Sequence, residues 1–270
     1  MKTLGDIGEQ ALIKRLARRL PSPRGVAVGI GDDCAVVRVP GSAHDLVYTT
    51  DAVIEGTHFL KGTAPEKIGH KAVGRVLSDL AAMGSEPLYI LINLVATRRT
   101  PLACVEEIYR GAARLCARHG AAIIGGDTST GPVLELHVFG VGRVPRNRAV
   151  LRSGARAGDV IYVTGRLGGS IHGKHLTFDP RVREGQWLRN WATAMIDISD
   201  GLATDLRHIT EASGVGAEIL PARIPLAKNA KNLQSALSDG EDFELLFTVS
   251  QKKAAAFERA WHKSFRLLCT

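Results

Sequence analysis

PLYILINLVA (87–96), CVEEIYRGAARLCARHG (104–120) and AAIIGGDT (121–128) lie in one stretch of the chain, and their order decides the fold class. The first is a near-continuous apolar run of strand length, the kind buried on both faces of a sheet. The second spaces its apolar residues at helical intervals and leaves through Gly120. The third returns to a strand pattern and ends in Gly-Gly-Asp. Alternation of this kind predicts an α/β protein.

Working outward, VAVGI (26–30), CAVVRV (34–39) and LVYTT (46–50) read as short neighbouring strands separated by Gly, Asp and Pro. A helix is predicted over about 66–83, entered through Pro65 and closed by Gly84. Residues 4–20 read as an amphipathic helix with Thr3 and Asp6 as a capping-box-like start. LELHVFGVGRV (134–144) is a further strand. The polar, basic, glycine-bearing stretch at 145–158 then suggests a boundary, giving domains at 1–147 and 148–270. Beyond it a fresh α/β pattern begins: strand DVIYVTG (159–165), a helix at about 181–192, strand MIDIS (195–199) and helix GLATDLRHITEAS (201–213). Strands GAEIL (216–220) and FELLFTV (243–249) and a helix at 251–263 follow, with a last β-like run at 265–269.

With 270 residues and 45% hydrophobic content the chain can bury sizeable cores. The first twenty residues lack the apolar stretch of a signal peptide, and no run approaches the roughly 20 apolar residues of a membrane helix. A cytoplasmic protein without a membrane partner is expected. Cys34, Cys104, Cys116 and Cys269 have no CxxC spacing, which argues against a zinc site or a disulfide framework. The formal charge of +8 sits mainly on helix-like segments without interleaved aromatics, so no nucleic-acid partner is expected.

Acids recur at strand ends and in glycine loops: Asp32 and Asp33, Asp51, Asp79, Asp127, Asp197 and Asp200, Glu241 and Asp242. A single Asp beside a glycine is usually a turn former or helix cap. Several brought together repel one another unless a cation lies between them. Oxygen donors without a His/Cys cluster suit magnesium or calcium, and Thr49, Thr50, Thr128 and Ser199 add hydroxyls. IIGGDTSTG offers backbone N–H groups that a phosphate can approach closely. It matches neither GxxxxGK[ST] nor GxGxxG. Arg152 and Lys71 could be phosphate cations or solvated surface residues. His58 follows the Asp51 strand closely and could face the same cleft. No hydrolase triad is supported.

In chain order GIGDDCAVV, TTDAVIEGTHF, HKAVGRVLSDLAAMG, IIGGDTS, LRSGARAGD, DISDGLATDL and GEDFELLFTV resemble the thiamine-monophosphate kinase family, over residues 29–249. That resemblance implies a two-domain aminoimidazole ribonucleotide synthetase-like fold, with a mixed sheet in the first domain that pairs with a second subunit into a barrel, and a sheet with helices in the second. It implies a homodimer that uses ATP and several Mg2+ ions to phosphorylate thiamine monophosphate. Metal ligation would fall to Asp33, Thr49, Thr50, Asp51, Asp79, Asp127, Asp197 and Asp200. Gly126, Asp127, Arg152, Ser199 and Tyr109 would contact ATP, and His58 and Glu241 the thiamine phosphate. No general base is assigned. Relatives carry a longer insert between GGS (168–170) and PRV (180–182), and continue past the position of Thr270 with a strand and an aromatic segment. The second domain is therefore expected to be reduced and truncated. Two rival readings stay open: another ATP-using member of the superfamily, such as an aminoimidazole ribonucleotide synthetase-like ligase, and a non-catalytic nucleotide-binding protein.

Overall fold

The computed structural model describes residues 3–21 and 23–270. Elements follow in the order α1 (Leu4–Ile7), α2 (Glu9–Ala17), β1 (Val26–Val28), β2 (Ala35–Arg38), β3 (His44–Ile54), α3 (Pro65–Ala82), β4 (Glu86–Ala96), α4 (Leu102–Arg118), β5 (Ala122–Thr130) and β6 (Glu135–Pro145). Then come β7 (Val160–Val163), α5 (Val182–Leu188), β8 (Ala192–Asp197), α6 (Leu202–Ser213), α7 (Leu233–Ser238), β9 (Leu245–Val249) and α8 (Gln251–Ser264). The fold is mixed α/β. One sheet has strand order β1-β2-β3-β6-β4-β5, and the other β7-β9-β8.

Within the larger sheet β4 and β5 run parallel, joined by the α4 crossover, and every other pairing is antiparallel. β3 and β6 pair along their whole length, from His44 opposite Pro145 to Ile54 opposite Glu135. Strict alternation along β6 puts Leu136, Val138 and Val144 on the buried face. In the smaller sheet β9 is central and buried on both faces. Leu245, Phe247 and Val249 join one core and Leu246 a second, which explains the unbroken apolar run FELLFTV.

Helix α3 lies between the two sheets. Val73, Val76, Leu77 and Leu80 are fully buried. They belong to a core that runs from Ile90, Ile92 and Leu136 of the larger sheet to Phe247, Phe257 and Trp261 of the smaller unit. A smaller core beneath α6 gathers Leu167, Ile196, Ile198, Leu206 and Ala236.

Four expectations change. The N-terminal helix is interrupted at Gly8, whose φ of 71° breaks the helical backbone, and its second part ends at Ala17. The expected start is present in part: the Thr3 N–H and hydroxyl both donate to Asp6 Oδ2, at 2.7 and 2.8 Å. GAEIL forms no strand, because Val215 and Ile219 pack on the smaller core and no ladder is available to them. The 181–192 helix stops at Leu188, where a turn feeds β8. The run at 265–269 makes only a Thr164–Cys269 bridge, although residues 268–270 lie along β7 with Val163 N–H donating to Thr270 O at 2.8 Å. Two short 3-10 turns, Ser170–His172 and Lys174–Leu176, occupy the connection after GGS.

Candidate active site

Three acids from distant parts of the chain converge where α3 passes between the sheets. Asp33 comes from the loop between β1 and β2, Asp79 from the last turns of α3 and Asp197 from the end of β8. One carboxylate oxygen of each lies within 4.8 Å of the others. The Thr49 hydroxyl donates to Asp79 Oδ2 at 2.6 Å, the Ser78 hydroxyl to Asp197 Oδ2 at 2.6 Å, and Arg152 Nη2 to Asp33 Oδ1 at 2.6 Å. Asp33 Oδ2 is buried and has no hydrogen-bond donor among the described residues.

Burial first, and then the mutual repulsion of the carboxylates, pushes Asp79 well above the usual carboxylate range and Asp197 up to about 7. Asp33 is raised by burial although Arg152 pulls it down. Arg152 in turn is raised, because Asp33 outweighs the burial that alone would lower it. Neighbouring Asp32 stands at about 7 through burial and the Asp33 charge, even with the Arg152 N–H donating to it. Buried carboxylates and a hydroxyl, with one acceptor oxygen left bare, form a hard-oxygen set that fits magnesium.

A second group, rich in cations, adjoins the acids. Arg75 binds Asp51 through Nε and Nη2, the latter reaching Oδ1 at 2.9 Å, and extends Nη1 to Glu241 Oε1 at 3.3 Å. Lys71 Nζ lies 2.7 Å from Glu241 Oε1 and donates to the His58 carbonyl at 2.6 Å. Burial would raise Glu241, but the His175 and Lys71 contacts outweigh it and hold the carboxyl at about 2. His58 Nδ1 accepts the Ile54 N–H at 3.0 Å, so the neutral ring carries its proton on Nε2. Burial, then the Arg75 and Lys71 charges, lowers the pKa of that ring. Glu241 has a φ of 54° and Phe243 a φ of 51°, both in the left-handed region that such residues seldom enter. Their N–H groups donate to Ser199 O and Ile198 O at 2.7 and 2.8 Å, which anchors the loop. Beside Glu241 a cavity of about 290 Å³ opens between Ile171, His172, Lys231 and Ser235.

Of the residues singled out from sequence, Asp33, Thr49, Asp79, Asp197 and Arg152 meet in the first group, and Asp51, His58 and Glu241 in the second. Thr50 turns its hydroxyl to Val138 O at 3.1 Å. Asp200 lies in a separate group with Asp205 and His208. Ser199 reaches Glu241 through its backbone carbonyl. Gly126 and Asp127 sit on the exposed edge strand β5, where among the described residues the Asp127 carboxylate accepts only from the Ser129 hydroxyl at 3.3 Å. Tyr109 is partly buried on α4 against the main core. Lys71, open between a phosphate role and a solvated one, has no exposed side-chain surface. Arg75, Ser78 and His175 were not anticipated. A hint was available: Lys71, Arg75, Ser78 and Asp79 are polar positions in the stretch 71–82 of α3, which is otherwise apolar all round.

Residues 31–144, which hold most of the larger sheet together with Asp33, Asp51 and Asp79, match the family model of AIR synthase related protein, N-terminal domain. Over most of its length the chain is similar to thiamine-monophosphate kinase of Escherichia coli (strain K12), at 38% identity across 94% of this chain and 86% of that protein. The solved complex of AaThiL with AMPPCP and TMP superposes with a TM-score of 0.87 at 32% identity, covering 94% of this chain and 88% of that one. Thiamine-monophosphate kinase from Stenotrophomonas maltophilia K279a gives 0.80 at 32% identity, over 96% and 91%. The chain belongs to the thiamine-monophosphate kinase family.

Proposed function

We infer that this chain transfers the γ-phosphoryl group of ATP to the phosphate of thiamine monophosphate, giving thiamine diphosphate. The likeness to AaThiL complexed with AMPPCP and TMP, which extends over 94% of the chain, carries this reading. The site supports it: an acid group suited to cations lies beside a group that presents a neutral histidine and a paired glutamate.

Asp33, Thr49, Asp51, Asp79 and Asp197 would hold magnesium, with Thr50, Asp127 and Asp200 as further ligands. Bound there, magnesium would neutralise phosphate charge and align the reacting groups. Gly126, Asp127, Arg152, Ser199 and Tyr109 are proposed for ATP. His58 would donate from Nε2 to the acceptor, and Glu241, kept ionised, would face the cationic thiazolium. A phosphate monoester is already anionic near neutral pH, so the chain needs no general base and contributes orientation and charge balance. The division at 1–147 and 148–270, a homodimer through the larger sheet with its open β5 edge, and a cytoplasmic location belong to the same reading. No described helix is long and apolar enough to cross a membrane.

The test mixes protein, ATP, magnesium and thiamine monophosphate and looks for thiamine diphosphate by the fluorescence of its oxidised form. ADP release with formylglycinamidine ribonucleotide instead would indicate a ligase. Binding of ATP without any diphosphate product would indicate a regulatory protein. Light scattering at micromolar concentration tests the dimer.

A further inference from the structure

Lys71 sits in the second turn of α3 with none of its side chain exposed. An ammonium group taken fully out of water needs partners for its protons. Those of Lys71 come from three separate stretches of chain. Nζ donates to the His58 carbonyl at 2.6 Å and to Glu241 Oε2 at 2.8 Å, and stands 2.9 Å from His175 Nδ1. His58 belongs to the turn after β3, His175 to the 3-10 turn Lys174–Leu176, and Glu241 to the loop before β9. A lysine that captures phosphate keeps a path to solvent, and Lys71 has none. Its partner differs: Glu241 keeps 24% of its side chain exposed and lines the 290 Å³ cavity. The ion pair is closed on the lysine side and open on the carboxylate side.

We propose that Lys71 is a positioning residue of the acceptor site, joining His58, His175 and Glu241 into one wall against which the thiamine phosphate is held. The inference rests on the thiamine phosphate reading above. Three contacts fix His58: Lys71 on its carbonyl, the Ile54 N–H on its Nδ1, and its own backbone N–H on Ile54 O at 2.9 Å, so that Nε2–H is its remaining donor. Glu241 has a left-handed backbone, and Lys71 and Arg75 together aim its carboxylate. Without the ammonium group the His58 turn and the Glu241 loop lose their common anchor, whereas the Asp33, Asp79 and Asp197 group keeps all its contacts.

The test compares the full chain with Lys71→Met, which keeps the stem and removes the charge, and with Lys71→Gln, which keeps two N–H donors. In Lys71→Met the KM for thiamine monophosphate should rise at least about tenfold while that for ATP stays within about twofold, with a smaller rise in Lys71→Gln. Calorimetric affinity for thiamine monophosphate should follow the KM. The imidazole 15N shifts of His58 should move from a single Nε2–H tautomer toward a mixture. Unchanged thiamine monophosphate KM, equal rises for both substrates, or loss of folding in both variants would each overturn the proposal. If only Lys71→Met fails to fold, Lys71→Gln decides. A wild-type chain that makes no thiamine diphosphate counts against the functional reading, whereas an active wild type with an indifferent Lys71 counts against this inference alone.

Discussion

Arg75 and Asp51 form a two-point ion pair, and the same guanidinium reaches on to Glu241. One cation therefore balances an acid proposed for the metal and an acid proposed for the acceptor. Arg75→Gln should lower the melting temperature of metal-free protein by about 2–8 °C, the equivalent of about 1–2 kcal/mol for charge-assisted bonds in a partly buried site. Magnesium should then stabilise the variant more than the wild type, because Asp51 has lost its counter-charge. Melting curves in EDTA and in magnesium read this directly, and equal magnesium shifts in the two proteins would argue that Asp51 takes no part in cation binding.

Asp79→Asn should cut turnover at least about a hundredfold, as loss of a central electrostatic group does. Its metal-free stability should hold or rise, because an amide, unlike a carboxyl pushed well above its usual range by burial and its neighbours, never adds to the repulsion among the three converging acids. Asp127→Asn should lose as much activity with no change in stability, since Asp127 is exposed. Near-normal turnover in both variants would remove them from the metal site.

Metal-free protein should lose stability as pH rises. Asp32 and Asp197 are pushed up to about 7 and Asp205 to about 8, by burial first and neighbouring carboxylates second. An unfolded aspartate titrates near about 3.9. From about pH 4 upward the folded chain thus holds protons that the unfolded chain has released, and the stability they confer falls away through about pH 7 to 8. Glu241 and Asp179, both held at about 2, act in the opposite sense below about pH 4.5, and His58, His70 and His208, lowered by burial, do so up to about pH 6.5, but the larger shifts of the buried acids outweigh them. Urea midpoints in EDTA at about pH 5.5 and 8.5 should fall with pH, and magnesium should flatten the slope. A midpoint that rises with pH in EDTA would contradict the buried-acid account.

Gly126→Ala should disrupt the β4–β5 edge. A Cβ there would stand 1.8 Å from Ile92 O, a backbone atom of the paired strand that cannot rotate away. The backbone φ of 153° is one that residues with a side chain rarely adopt, so backbone strain adds to the close approach. Hydrogen exchange should accelerate along β5 and leave β3 and β6 protected. Unchanged exchange would show that the strand can shift to admit a methyl group.

Much of the fold was legible from residue pattern because the central elements carry strong periodicity. PLYILINLVA, LELHVFGVGRV and FELLFTV became β4, β6 and β9, and Pro65 and Gly84 bracket α3 as expected. The weaker elements were not. GAEIL has strand composition without a neighbouring edge, and Gly8 divides a pattern that otherwise reads as one helix. The acids Asp33, Asp79 and Asp197 were visible as residue types, but their meeting depends on the packing of α3 between two sheets, which no local pattern contains. Arg75 and His175 were hidden for the same reason: their partners lie 24 and 66 positions away, Asp51 from Arg75 and Glu241 from His175.

Lys71, Arg75 and Asp79 follow one another at intervals of four, so they lie along one side of α3 and span about 12 Å at the helical rise. The helix therefore works as a ruler laid between the acceptor wall and the acid group, and the gap between the two ends is measured in turns of backbone. Inserting or deleting one residue between Lys71 and Asp79 would rotate one end relative to the other by about 100°, turning it into apolar core. Length in this stretch of nine residues is thus a harder constraint than the choice of its apolar side chains. The apolar residues Ala72, Val73, Val76 and Leu77 between its ends can be exchanged wherever the volume is kept, whereas Arg75 and Ser78 are held by their polar contacts, and a change in the number of residues would put the two halves of the reaction out of phase.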